Sequence, residues 1–194
     1  MKSILPTALG CDVMIDGKRY RLRPTVFHVL SAHEALEDEL MQFPDRVKLA
    51  VWHLYRFPRP RATDKAVTAA FDLLDEPSPY RPADVPQSLS IEQDAALIVA
   101  AFRQQYGIDL NVESVRMDWR VFQALLGGIT DATRIGEVMG IRTMKIPKRT
   151  QYNGEQIREI QKAKAVYALR GKHAQHSFED GLRKMVEILT AMTE

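Results

Sequence analysis

The sequence contains a single cysteine, Cys11, so the chain cannot form an internal disulfide bond. It also lacks any apolar run near the ~20 residues that a membrane-spanning helix needs. The apolar stretch at residues 4–9 is interrupted by Pro6 and is too short for the core of a secretion signal. These absences favour a protein that folds without disulfide bonds in a reducing compartment, and we expect no membrane partner.

Recognisable catalytic motifs are also missing. The sequence has no G-x-S-x-G nucleophile elbow, no P-loop and no dinucleotide-binding glycine pattern. His33 and Glu37 share a helix face in "HEALE", but the second histidine of the zincin motif is absent. His173 and His176 have no cysteine or further histidine nearby in the sequence. We therefore expect a protein that is not an enzyme and that uses no cofactor or metal.

Charged residues are frequent but unevenly distributed. The formal net charge is +2, yet the segment from Arg134 to Lys172 carries ten basic and three acidic residues. A second basic cluster at residues 18–23 precedes an acidic patch at residues 34–39. This split favours docking to a charged partner or to another copy of the chain, and solvated helix faces would explain it equally well.

Periodic patterns predict a mainly α-helical fold of about six to eight helices with one small N-terminal β-hairpin. Alternating residues on either side of Asp16-Gly17 predict the hairpin. Apolar residues at helical spacing run from Val26 to Leu40 and from Val47 to Tyr55. A third helix is predicted to begin at Thr63 or Asp64.

Four prolines between Glu76 and Ser88 mark the one clear linker. The chain is either a single domain crossed by this linker or two subdomains, 1–75 and 89–194, joined by residues 76–88. Length alone permits both organisations.

Beyond the linker, Ser90 to Gln93 fits a capping box, and Gly107 supplies a left-handed helix stop. A further helix follows at Trp119, and we expect the two helices to pack as an antiparallel pair. The apolar residues predicted to form the core of this pair are Ile98, Phe102, Tyr106, Trp119, Phe122, Leu125 and Leu126.

Three shorter helices are predicted in the C-terminal part. The first surrounds Ile135 and stops at Gly140, and the other two are capped by Asn153 and Ser177. The stretch "TRIGEVMGIRTMKIPK" is typical of the first helix and turn of a helix-turn-helix. Pro147, however, would limit a recognition helix starting near Arg142 to less than two turns, so nucleic-acid binding is the least favoured reading.

The segments "DAALIVAAFRQQYGIDL", "MDWRVFQALLGGI", "GIRTMKIPK" and "KAKAVYAL", in this order, resemble a family of tailed-phage proteins named after gene product fifteen. The specific likeness runs from Ser90 to Leu169, about half the chain. The sequence departs from the family pattern in having Asp118 before Trp119, in its proline-rich linker, and in an additional predicted helix after Arg170.

The resemblance implies a tail assembly chaperone that binds the tape measure protein, the tail tube protein or both. Such a protein would act in the cytoplasm of the bacterial host and be absent from the mature virion. The alternative is a structural tail completion or connector component that stays in the particle. For the chaperone, we expect the basic residues Arg142, Lys145, Lys148 and Arg149 to face an acidic partner surface.

Overall fold

The computed structural model describes residues 10–74 and 88–170. Within these residues the chain forms one two-stranded sheet and eight helices, which confirms the predicted mainly α fold with a small hairpin. The helix predicted after Ser177 lies outside the described residues, as does the linker up to residue 87.

The chain divides into two compact units. The described parts of the first unit are residues 10–74 and Leu110–Gly127, and those of the second are residues 88–109 and 128–170. The sequence grouped Leu110–Gly127 with the helices around it, whereas the structure groups it with the N-terminal part of the chain. The predicted subdomain limits, 1–75 and 89–194, stay a prediction.

The hairpin of the first unit consists of β1 (Asp12–Ile15) and β2 (Lys18–Arg21). Asp16 and Gly17 have φ angles of 49° and 75°, as the predicted two-residue turn requires. Val13 and Ile15 point into the core because alternate strand residues share a face.

Three helices follow, α1 (Val26–Glu37), α2 (Phe43–Leu54) and α3 (Asp64–Leu74). Helix α1 ends before Leu40, which is 97% exposed, so the predicted extension to Leu40 is wrong. The carboxylate of Asp38 accepts the Leu40 N–H at 2.9 Å, and such a local side-chain acceptor competes with helix continuation. Thr63, whose Oγ1 accepts the Ala66 N–H at 3.3 Å, supplies the first-turn cap of α3.

The segment Leu110–Gly127 contains the short helix α5 (Leu110–Glu113) and helix α6 (Trp119–Gly127). Its backbone carbonyls accept the first two N–H groups of α1: Val26 donates to Met117 at 2.9 Å and Phe27 donates to Ser114 at 3.0 Å. Helix α1 has no side-chain cap at Thr25, so this segment replaces the cap. Val115, in the connection between α5 and α6, is exposed.

Trp119 anchors this segment. Its side chain is 1% exposed and stacks on Phe122 with ring centroids 5.3 Å apart, and its backbone N–H donates to the Pro24 carbonyl at 2.6 Å. Asp118 and Arg120 form a buried ion pair beside it. The predicted contact of Trp119 with Phe102 concerns two different units and stays a prediction.

The second unit contains α4 (Ala95–Tyr106), α7 (Arg134–Thr143) and α8 (Gly154–Val166). Gly107 ends α4 at a φ of 69°, which confirms the predicted left-handed stop. Helix α7 runs past Gly140, so the predicted stop there is wrong. Gly136 of α7 packs directly against the backbone of Thr130. A Cβ at this position would lie 2.1 Å from the Thr130 carbonyl oxygen, so the contact requires glycine.

His33 on α1 is partly buried within the first unit rather than fully exposed. Its ring contacts Phe71 of α3 at a centroid distance of 4.5 Å, and burial lowers the pKa of the imidazole to about 3. Glu37, its partner in the considered metal site, is exposed. No group of three or more His, Cys, Asp or Glu side chains that could hold a metal ion occurs in residues 10–74 and 88–170.

We predict that the stability of the first unit falls as the pH drops below about 6.5 because of His33. In the unfolded chain the His33 imidazole has its ordinary pKa of 6.5 and is protonated below that pH. In the folded chain its pKa is about 3, so it stays neutral until the pH approaches that value. Across this window the free energy of unfolding falls by up to about 1.4 kcal/mol per pH unit. Urea unfolding at about pH 7 and pH 5 should show a smaller loss for His33→Leu than for the wild type. Equal losses would contradict the assignment.

Trp119→Ala should lower the free energy of unfolding by about 3 to 5 kcal/mol, as truncation of a buried aromatic residue does. The control is Trp52→Ala, because the Trp52 side chain is 49% exposed. Its loss should be about 1 kcal/mol, the scale of its contacts with arginine side chains. Urea denaturation of both variants measures the difference, and similar losses would show that Trp119 is not a core residue.

Candidate partner-binding surface

Arg142 holds the second unit together from its interior. Its guanidinium forms a bidentate pair with Asp94, Nη1 and Nη2 donating to the two carboxylate oxygens at 2.6 and 2.9 Å. The same guanidinium donates to the carbonyl of Ser88 at 2.9 Å and to that of Tyr167 at 2.6 Å. Arg142 thus joins the start of α4, the end of α7 and the end of α8.

The Asp94 side chain is 4% exposed and accepts a further hydrogen bond besides those from Arg142. Its Oδ2 accepts the Ser90 N–H at 3.0 Å. In a complete capping box the side chain of Gln93 would accept this N–H. The other half of the box forms, because Ser90 Oγ accepts the Gln93 N–H at 3.3 Å. The Gln93 side chain pairs instead with the backbone of Arg170, donating at 2.7 Å and accepting at 2.9 Å.

Lys164 of α8 caps the C-terminal end of α7. Its Nζ donates to the carbonyls of Arg142 at 2.5 Å and Met144 at 2.8 Å. A cation at this end of a helix meets carbonyl groups that lack partners within the helix. The side chains of Lys164 and Arg142 therefore form hydrogen bonds within the second unit and stabilise it.

The chain between α7 and α8, residues 144–152, is named here the basic segment. Its three basic side chains, Lys145, Lys148 and Arg149, are exposed, and so are the apolar side chains of Met144, Ile146 and Tyr152. It contains no helix, so no recognition helix follows α7 before Gly154.

Asn153 closes the far end of the basic segment. Its Oδ1 accepts the Thr150 N–H at 2.7 Å and its Nδ2 donates to the Lys148 carbonyl at 2.8 Å. With Lys164 at the near end, both ends of the segment are fixed by side-chain hydrogen bonds. The exposed basic side chains therefore extend from a segment whose two ends are fixed by hydrogen bonds.

The structure sorts the basic residues of this region into two groups. Arg134 pairs with Glu137 and lies 5.3 Å from the centroid of the Tyr167 ring, while Arg142 and Lys164 bond inside the unit. Lys172 lies outside the described residues. The remaining described basic residues are exposed: Lys145, Lys148, Arg149, Arg158, Lys162 and Arg170.

Of the four residues expected to face a partner, Arg142 alone is turned inward. We therefore define the candidate surface by Lys145, Lys148 and Arg149 with the neighbouring exposed apolar side chains. The sequence analysis missed Asp94 as the partner of Arg142, since the two residues are far apart in the chain and share no local spacing.

Arg142→Met should lower the free energy of unfolding of the second unit by about 3 to 5 kcal/mol, because it leaves the Asp94 carboxylate buried without a cation. Adding Asp94→Leu should recover part of this loss, since the uncompensated charge is removed. Lys145→Met, at an exposed position, is the control and should change stability by less than about 0.5 kcal/mol. Denaturant unfolding compares the three variants. A loss for Arg142→Met no greater than the control would contradict the role assigned to the pair.

None of the described helices is long and apolar enough to cross a membrane. A family model described as Bacteriophage Gp15 protein matches residues 7–169, which include the hairpin and all eight described helices. No curated protein and no solved structure gives a significant match. Because the family model spans well over half of the 194 residues, the chain belongs to the bacteriophage Gp15 protein family.

Proposed function

We propose that this protein is a non-enzymatic tail assembly chaperone that binds the tape measure protein, the tail tube protein or both during assembly of a long phage tail. The observation that supports the proposal most directly is the basic segment. It combines Lys145, Lys148 and Arg149 with exposed apolar side chains on a backbone fixed at both ends. Membership of a bacteriophage family supplies the biological setting.

The chemistry of the segment suits reversible binding to an acidic protein surface. Exposed cations accelerate encounter with an acidic partner and select its orientation. Met144, Ile146 and Tyr152 supply apolar contact area, and a flexible methionine adapts to partner surfaces of different shape. Interfaces of this composition draw affinity from a few apolar anchors and specificity from the charged rim.

A chaperone of this kind would act in the cytoplasm of the bacterial host and leave before the particle is complete. The same surface would serve a tail completion or connector protein, but that protein would remain in the virion. The content of purified particles therefore separates the two functions.

Reversing the three exposed charges, with Lys145→Glu, Lys148→Glu and Arg149→Glu, should abolish retention of the partner in a pull-down. The tagged chain would be co-expressed with the tape measure and tail tube proteins of the same phage, and the retained proteins identified by mass analysis. Thermal unfolding should stay unchanged, because isolated surface charges contribute little to stability.

The matched control carries the same charge change at Lys18, Lys48 and Lys65, which are exposed in the first unit. It should retain the partner as the wild type does. Retention by the triple variant of the basic segment would show that binding occurs elsewhere. Failure of the wild type to retain either protein, with the chain present in purified virions, would replace the chaperone by the structural component.

A further inference from the structure

A pocket of about 350 Å³ opens in the first unit, apart from any residue of the basic segment. It is lined by Arg23, Thr25, His28, Arg56 and Val115. These residues come from the link between β2 and α1, the first turn of α1, the end of α2 and the connection from α5 to α6. Its volume lies at the lower end of the range of ligand sites, roughly 300 to 1,000 Å³.

Two arginines, Arg23 and Arg56, line this pocket, and a third, Arg59, lies close to Arg23. Arg23 and Arg59 lie 5.7 and 5.5 Å from the centroid of the Trp52 ring. Burial and the positive charges of Arg59 and Arg56 lower the pKa of Arg23. None of the three arginines forms an ion pair within residues 10–74 and 88–170. The local excess of positive charge is therefore not neutralised by the described part of the fold.

Two histidines add polar atoms to the same region. The rings of His28 and His53 lie 6.0 Å apart, and burial and the nearby Arg23 lower the pKa of both, while Glu34 opposes the shift at His53. Four buried side-chain atoms here have no hydrogen-bond partner: Thr25 Oγ1, His28 Nδ1, His53 Nδ1 and Arg59 Nε. Buried polar atoms in proteins are almost always paired, and two of these atoms belong to Thr25 and His28, which line the pocket. The described part of the fold supplies no hydrogen bond to these two atoms.

We propose that this pocket binds carboxylate groups of an acidic segment of a partner protein. Guanidinium groups and imidazole or hydroxyl donors match carboxylate oxygens in charge and geometry. Exposed Phe27, Trp52 and Val115 surround the charged groups and offer contacts to apolar side chains next to the acidic ones. The Trp52 ring already carries two guanidinium groups, so it is not an open platform for stacking a nucleobase.

The proposal rests on the proposed function only in taking other proteins as the ligands, and a synthetic probe tests it separately. The probe is a capped pentapeptide with four glutamates around a central leucine, titrated into the full chain by calorimetry. The double variant Arg23→Gln, Arg59→Gln should weaken its binding by about tenfold or more, as loss of desolvated charge contacts does. Lys18→Gln with Lys48→Gln, which removes the same charge from exposed positions, should leave binding within about twofold.

Nuclear magnetic resonance locates the bound peptide. The ring signals of His28 and His53 should shift and titrate at higher pH with the peptide, because a carboxylate favours the charged imidazole. The His33 ring, packed on Phe71, should be unaffected. Shifts confined to His33, or none at all, would overturn the assignment.

Three further results decide the class of ligand. Equal affinity of the double variant and its control would overturn the proposal, as would tighter binding of inorganic phosphate or of a short DNA duplex than of the peptide. Thermal unfolding verifies that the double variant is folded. If it is not, Arg56→Gln, an exposed residue lining the same pocket, takes its place and should weaken peptide binding in the same direction.

Discussion

A buried ion pair between Asp94 and Arg142 determines the shape of the second unit. It fixes the start of α4 against the end of α7, and the further bonds of Arg142 to Ser88 and Tyr167 bring in the end of α8. Burying two charges is costly unless their hydrogen bonds are complete, and here both carboxylate oxygens and three guanidinium nitrogens are used. The basic segment begins two residues after Arg142, at the end of α7.

Sequence patterns located the elements of the fold but not their connections. The Asp16-Gly17 hairpin and the Gly107 stop are local signals, and the structure confirms them. The end of α1 and the end of α7 differed from prediction: Asp38 accepts the Leu40 N–H just after α1, and α7 continues through Gly140 to Thr143. The attachment of Leu110–Gly127 to α1 depends on backbone hydrogen bonds that no residue pattern encodes.

Functional residues were harder to predict for the same reason. A run of basic residues indicated a charged surface, but the sequence could not separate Arg142, which pairs inside the unit, from Lys145, Lys148 and Arg149, which do not. The pocket of the first unit was missed altogether, because its lining residues are spread over four segments of the chain. Its arginines and histidines are brought together by the tertiary fold, so their spacing along the chain does not predict the pocket.

Family membership places the protein among bacteriophage proteins, and its exposed cationic and apolar side chains support a role in binding other proteins. The most direct test of the central proposal is hydrogen–deuterium exchange of the chain alone and in complex with the tape measure protein. We predict slower amide exchange in residues 144–152 when the complex forms. Unchanged exchange in that segment within a stable complex would contradict the proposal that the basic segment is the binding surface.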